Sequence, residues 1–377
     1  MKKKALATKM AAFVMAGAMT MAMGGVTAFA AQVPFTKKVV DSNSTKDENG
    51  KAQNVYKPNT VFKFNLDAGN AGTIDDGSDP SKKVPVTAGV KENGVLVGIT
   101  YNDTLTMTAE EGDKVAPGFI SLDYDQFYDA GVVPGIYHYI LSEKDPKTAG
   151  IEGYTEYDGM TYSDETYDIY VFLNEKEKKA ENTILVSKGG THIYDGKTKK
   201  GAIDFTNTYT TYNLGVKKLV EGNQGDKSKD FTFTIKVDGA AGEKYKYIVY
   251  TIADNGDETA TDQTGVIDSQ AIAKTVYLKA NQVVRVYGLS ANDQYTVNEN
   301  DYSTDGYKTE VTIGNSKTET REVKEQKLAA DGTIVYTNTK NVTTPTGIVT
   351  EYAPYILLVA AAGAFAVLFL RRKKEEF

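Results

Sequence analysis

Apolar and polar residues alternate with a period of two along most of this chain. "TVFKFNL" (60–66), "GIYHYILSE" (135–143), "TYDIYVFLNE" (166–175), "DFTFTIKV" (230–237) and "KTVYLKA" (274–280) each send successive side chains to opposite faces. Such alternation, bounded by Gly, Asn and Asp, predicts half-buried β-strands. The abundance of Tyr, Val, Ile and Thr suits a pleated surface. No stretch between the two termini sustains a 3.6-residue period. Many short strands with turn signals between them predict an all-β protein built as sandwiches.

The pattern also repeats. "FTKKV" (35–39) corresponds to "VKKLV" (216–220), "VFKFNL" to "FTFTI" (231–235), "YILSE" (139–143) to "YTVNE" (295–299), and "IDFTN" to "IVYTN". Four short motifs in the same order predict two tandem domains, 31–210 and 211–340, which the chain length accommodates. The first half is longer because it holds "NAGTIDDGSDPSKK" (70–83) and "TAGIEGYTEYDGMTYSD" (148–164), both loop-like. Their acidic residues, and those of "DNGDET" (254–259), spell no complete calcium loop and read as solvated turns.

Strand alternation gives three polar residues in each half an unexpected direction. Lys37 shares a face with Val33, Phe35 and Val39; Lys218 shares one with Leu214, Val216 and Val220. Glu143 follows Tyr139 and Leu141, and Glu299 follows Tyr295 and Val297. Asn207 follows Ile203 and Phe205, and Asn338 follows Ile334 and Tyr336. Each half therefore aims one Lys, one Glu and one Asn into its core. Lys38 and Lys217 point outward.

A buried Lys–Glu ion pair is a poor stabiliser because both charges lose hydration. Burial lowers a lysine pKa from about 10.4 and raises a glutamic acid above about 4.3. A neutral amine is a nucleophile, and a protonated carboxyl can polarise an amide oxygen and move protons. Lysine Nζ could then attack the asparagine Cγ, expel ammonia and leave an isopeptide bond, with proximity supplying the drive. The pairs are Lys37 with Asn207, assisted by Glu143, and Lys218 with Asn338, assisted by Glu299.

The ends of the chain predict export. Lys2, Lys3, Lys4 and Lys9 precede an apolar run, and Ala28-Phe29-Ala30 has the small-x-small form of a cleavage site, so residues 1–30 read as a signal peptide. Ala353 to Leu370 carries no charge and is followed by Arg371, Arg372, Lys373 and Lys374, the pattern of a membrane span with a cytoplasmic basic end. Just ahead, Thr344-Pro345-Thr346-Gly347 resembles the sorting signal of Gram-positive surface proteins, with Thr344 where the common signal has Leu. Residues 341–377 are thus the expected sorting segment, cut between Thr346 and Gly347.

Composition narrows the function. The formal net charge of −7 falls further once the two basic ends are set aside, which argues against nucleic acid as a partner. With no Cys and two His, His138 and His192, thiolate, disulfide and most metal chemistry is excluded. No Ser/His/Asp set or paired-carboxylate cleft can be assembled, so an enzyme is not expected, nor a metal or other cofactor.

"FTKKV", "PGIYHYILSE", "IDFTN", "VKKLVEGNQGDKSKDFTF", "YTVNEND" and "IVYTNTKNVTTPTG" together resemble the major backbone pilins of Gram-positive bacteria. The similarity is to the two-domain streptococcal type built from Cna protein B-like immunoglobulin domains. It implies a spontaneous Lys–Asn bond in each domain. It also implies head-to-tail polymerisation by a pilin-specific sortase, which transfers the Thr346 carbonyl to an exposed lysine of another copy. By family spacing that lysine is Lys200, with Lys197 and Lys199 beside it. The implied place is the cell wall and surface, with minor pilins and a host surface as further partners and the membrane engaged only before sorting. A wall-anchored adhesin that never polymerises is the alternative.

Overall fold

A computed structural model describes residues 31–43, 45–46, 52–76, 79–111, 114–194, 201–341 and 346–372. Two separate cores organise it, one drawn from residues between Val33 and Tyr209, the other from residues between Leu214 and Tyr336. Each is enclosed by two facing sheets, as the alternation predicts.

In the first unit a five-stranded sheet runs in the order Met160–Thr161, Asp204–Tyr209, Ala31–Asp41, Val115–Leu122, Ile99–Tyr101. The facing sheet has Thr60–Ala68, Gly135–Glu143 and Thr166–Leu173 at its centre. In the second unit the larger sheet centres on Gln282–Leu289, Tyr212–Glu221 and Gly332–Thr339. It faces the order Lys274–Leu278, Phe231–Asp238, Gln294–Glu299, Glu322–Gln326. Phe231–Asp238 shows the period cleanly, with Phe231, Phe233, Ile235 and Val237 all buried. Where Phe35 lies opposite Gly118, the ring occupies the space a Cβ would take, so only glycine fits there.

One connection matters most. The first strand of each unit pairs in parallel with its last: Ala31–Asp41 with Asp204–Tyr209, and Tyr212–Glu221 with Gly332–Thr339. Parallel neighbours need a long crossover, which here is the rest of the sandwich. Each unit therefore begins and ends side by side on one sheet.

Three features differ from the sequence expectation. The acidic stretch 70–83 is not loop; it builds a hairpin, Gly72–Asp76 against Asp79–Ala88, hung on the sheet by Tyr137–Thr87 and His138–Ala88 pairing. Short helices stand at Tyr124–Asp129 and Pro146–Ala149, capped by Asp123 and Asp145, too brief to declare a 3.6 period. The apolar run 353–370 lies within the helix Thr346–Arg372. Among the described residues, however, no helix is long and apolar enough to cross a membrane. The signal peptide, Thr344, Pro345, Lys197, Lys199 and Lys200 lie outside the described residues.

Candidate functional site

The parallel first-to-last pairing sets the geometry of both candidate sites. Lys37 lies opposite Phe205 and Val39 opposite Asn207; Lys218 lies opposite Tyr336 and Val220 opposite Asn338. In each unit the asparagine therefore sits two residues beyond the lysine's partner, on the same face of an adjacent strand. Glutamate arrives from the opposite sheet, at the end of Gly135–Glu143 or Gln294–Glu299. All six residues are buried, and the Lys37, Glu143, Lys218 and Glu299 side chains expose nothing.

In the first unit Lys37 Nζ donates to Glu143 Oε2 at 2.8 Å and to the Phe205 carbonyl at 3.3 Å. Asn207 Nδ2 donates to Glu143 Oε1 at 3.1 Å, so one carboxyl bridges both partners. The Asn207 carbonyl oxygen accepts from the Ser163 backbone N–H at 2.8 Å. In the second unit Lys218 Nζ is 2.8 Å from Glu299 Oε1, close enough to pair but not aligned as a hydrogen bond. Asn338 Nδ2 donates to the same oxygen at 3.1 Å. The Asn338 carbonyl oxygen has no donor.

Burial acts on every titrating group. Desolvation pushes Lys37 down to about 8, partly opposed by Glu143, and Lys218 down to about 8, partly opposed by Glu299. Desolvation likewise raises the Glu143 and Glu299 carboxyls against the pull of the lysines. The Phe-x-Phe motif supplies much of the apolar wall. Phe62 lies 4.7 Å from Lys37 Nζ, and Phe231 and Phe233 lie 4.3 and 5.9 Å from Lys218 Nζ. A ring face attracts a cation, but here the loss of hydration is the larger effect.

Chemically the arrangement holds an amine with a depressed pKa, a carboxyl with a raised one, and an amide hydrogen-bonded to that carboxyl. It is a layout for one intramolecular acyl transfer. Sequence reasoning brought these six residues together but missed Ser163, whose N–H comes from a loop and leaves no sequence signal. Thr346 and Gly347 open the C-terminal helix. Among the described residues no group of His, Cys, Asp and Glu converges as a metal site.

Comparison with known proteins follows the same lines. A domain of unknown function (DUF7601) matches residues 212–340. A protein named pilin from Streptococcus pyogenes serotype M1 is 29% identical over 327 residues, 83% of this chain and 90% of the relative. The crystal structure of a major pilin from Streptococcus pyogenes matches with a TM-score of 0.54 at 24% identity, covering 83% of this chain and all of the other. A second major pilin of that species gives 0.51 at 20%, covering 82% and 98%. The fold is that of the streptococcal major pilins, and the sequence resemblance holds along most of the chain. Such relatives are structural proteins, not enzymes.

Proposed function

We propose that this chain, a relative of the streptococcal major pilins, is the shaft subunit of a surface pilus, crosslinked internally at two Lys–Asn pairs and joined covalently to further copies. The carrying observation is the duplicated buried Lys–Glu–Asn cluster on parallel first and last strands. It supports Lys37–Asn207 and Lys218–Asn338 bonds formed with Glu143 and Glu299 as proton carriers. The neutral amine attacks Cγ, the glutamic acid gives the leaving nitrogen the proton it needs, the C–N bond to it breaks and ammonia departs, and the carboxylate takes up the proton that the attacking nitrogen sheds.

Division into units at 31–210 and 211–340 places both bonds inside units and leaves 341–377 for sorting. A pilin-specific sortase would cut after Thr346 and transfer its carbonyl to Lys200 of the next copy. Localisation at a Gram-positive surface, and assembly with minor pilins, follow from that role. The C-terminal helix exposes Tyr355, Ile356, Leu357, Leu358 and Val359 together, as a segment awaiting an apolar environment does.

Cell-wall extract run on a denaturing gel tests this. A ladder of multiples of the subunit is expected, lost in Lys200→Ala. A lone wall-linked species in the unmutated strain would instead indicate the non-polymerising adhesin.

A further inference from the structure

Between the two sandwiches lies a second buried polar cluster that the crosslinking chemistry does not use. Glu243, Tyr245 and Asp293 belong to the second unit and are almost fully buried. Tyr245 Oη stands 2.7 Å from Glu243 Oε2 and 3.0 Å from Asp293 Oδ2. Tyr157 of the first unit, also buried, donates its hydroxyl to Glu243 Oε1. Next to it, Asp158 of the first unit accepts from the Ser290 hydroxyl and from Asn292 Nδ2 at 2.6 Å. Gly239 packs directly against it, for a Cβ there would collide with Tyr245, Glu243 and Asp293 at once.

Counting hydrogens exposes a deficit. A tyrosine hydroxyl has one proton, yet Tyr245 touches two carboxyl groups. Glu243 already receives Tyr157 Oη–H and the Ala240 N–H at 2.7 Å, whereas Asp293 receives the Ser290 N–H at 2.8 Å. The well-donated Glu243 is the natural anion, so Tyr245 gives it its proton and Asp293 must carry one of its own to give to Tyr245. The other titratable groups facing the cluster are Tyr157, Tyr209 and Asp158, none of them cationic. Neither Glu243 nor Asp293 has an ion-pair partner among the described residues.

We propose that this seam is a proton-dependent clasp, in which a proton on Asp293 completes a chain Asp293–Tyr245–Glu243–Tyr157 that holds the two sandwiches in one orientation. Loss of the proton sets two carboxylates around a single hydroxyl in a dry, uncompensated site. Relief comes from admitting water, as the Tyr157–Asp158 loop of the first unit draws away from the second.

Burial first, and the Glu243 charge second, lift Asp293 from 3.8 to about 7. The sign follows. A carboxyl with a raised folded pKa contributes stability that is complete below its unfolded value and is lost as pH rises through the folded one. The clasp is therefore tight in acid and slackens through neutrality.

Spin labels on Thr100→Cys and Lys274→Cys, one per sandwich, test this in the full chain, which has no native Cys to interfere. The inter-label distance distribution should be narrow at about pH 5.5 and about twice as broad at about pH 8.5. Asp293→Asn cannot ionise, so whatever its width, that width should not change with pH. Tyr157→Phe should be broad at both. An unchanged width in the parent, or an undiminished pH response in Asp293→Asn, overturns the proposal. Carboxyl 13C resonances of the protein without substitutions give an independent reading. Asp293 should titrate near neutrality, and an Asp293 already ionised at about pH 5.5 overturns it as well.

Discussion

A lysine and a glutamic acid that share one proton define how the crosslink should respond to pH. The neutral pair and the ion pair contain the same number of protons, so their balance does not change with pH; only gaining or losing a further proton removes the reactive form. Both lysines lie near 8 and both carboxyls are raised. We predict a rate of bond formation that is flat through neutrality. It should fall about tenfold per pH unit on the alkaline side, where the carboxyl can no longer supply its proton, and likewise in acid, where the amine is protonated. Mass spectrometry of freshly synthesised chain, timed at several pH values, follows it as the loss of two ammonias. A mass that never departs from the sequence mass would sink the crosslinks. The sites should also differ from each other. Asn207 has Ser163 N–H on its carbonyl oxygen, where negative charge develops during attack, and Asn338 has no equivalent donor. Glu143→Ala and Glu299→Ala should each retain one ammonia, and the remaining bond should close at least about tenfold faster in Glu299→Ala, where the first site is intact.

At the scale of strands, the proposed bond would tie the first to the last element of each sandwich and so take over a task that disulfides perform in secreted chains. Closing a loop of about 100 residues is worth about 4.7 kcal/mol in the chain-entropy model. Lys218→Ala removes that closure and leaves Glu299 buried without a cation. Calorimetry should show the second transition lowered by roughly ten degrees or more with the first little changed; an unchanged profile would refute the assignment. Much of this was legible in the sequence because strand periodicity is rigid. Once Val216 and Val220 are inside, Lys218 is inside too, and the same logic fixes Glu299 and Asn338. What stayed hidden needs three dimensions. "TIDDGSDPSKK" carries charge on both faces, so its hairpin has no buried stripe to announce it. Phe231 and Phe233 repeat visibly, but nothing in their spacing says that a lysine crosses their rings. Ser163 acts through its backbone, and Tyr157, Glu243 and Asp293 meet only because two sandwiches abut.

Across the whole molecule the two proposed crosslinks would have unequal mechanical duties. In a polymer joined at Lys200 and Thr346, tension runs along the backbone from 200 to Lys218, crosses to Asn338 on the neighbouring parallel strand, and leaves at 346. Residues 219 to 337 lie off that path. A bond from Lys37 to Asn207 would close a loop beside the path and bear no load, which would leave it to protect the first sandwich against heat and proteases. Pulling single molecules between Lys200 and Thr346 distinguishes these roles. The parent should show little lengthening within the second sandwich. Glu299→Ala should add on the order of 40 nm as residues 219 to 337 draw out at full extension. Glu143→Ala should add nothing from the segment beyond Lys218. Equal lengthening in the two variants, or a parent that already extends by that amount, would show that the load takes another route. The clasp at Tyr157 and Glu243 lies between the two sandwiches and is itself made of hydrogen bonds, with the Lys246–Glu111 ion pair at 2.8 Å as a further tie across the seam. It should therefore yield first and at low force, as a short step that precedes any unravelling and becomes easier as Asp293 ionises.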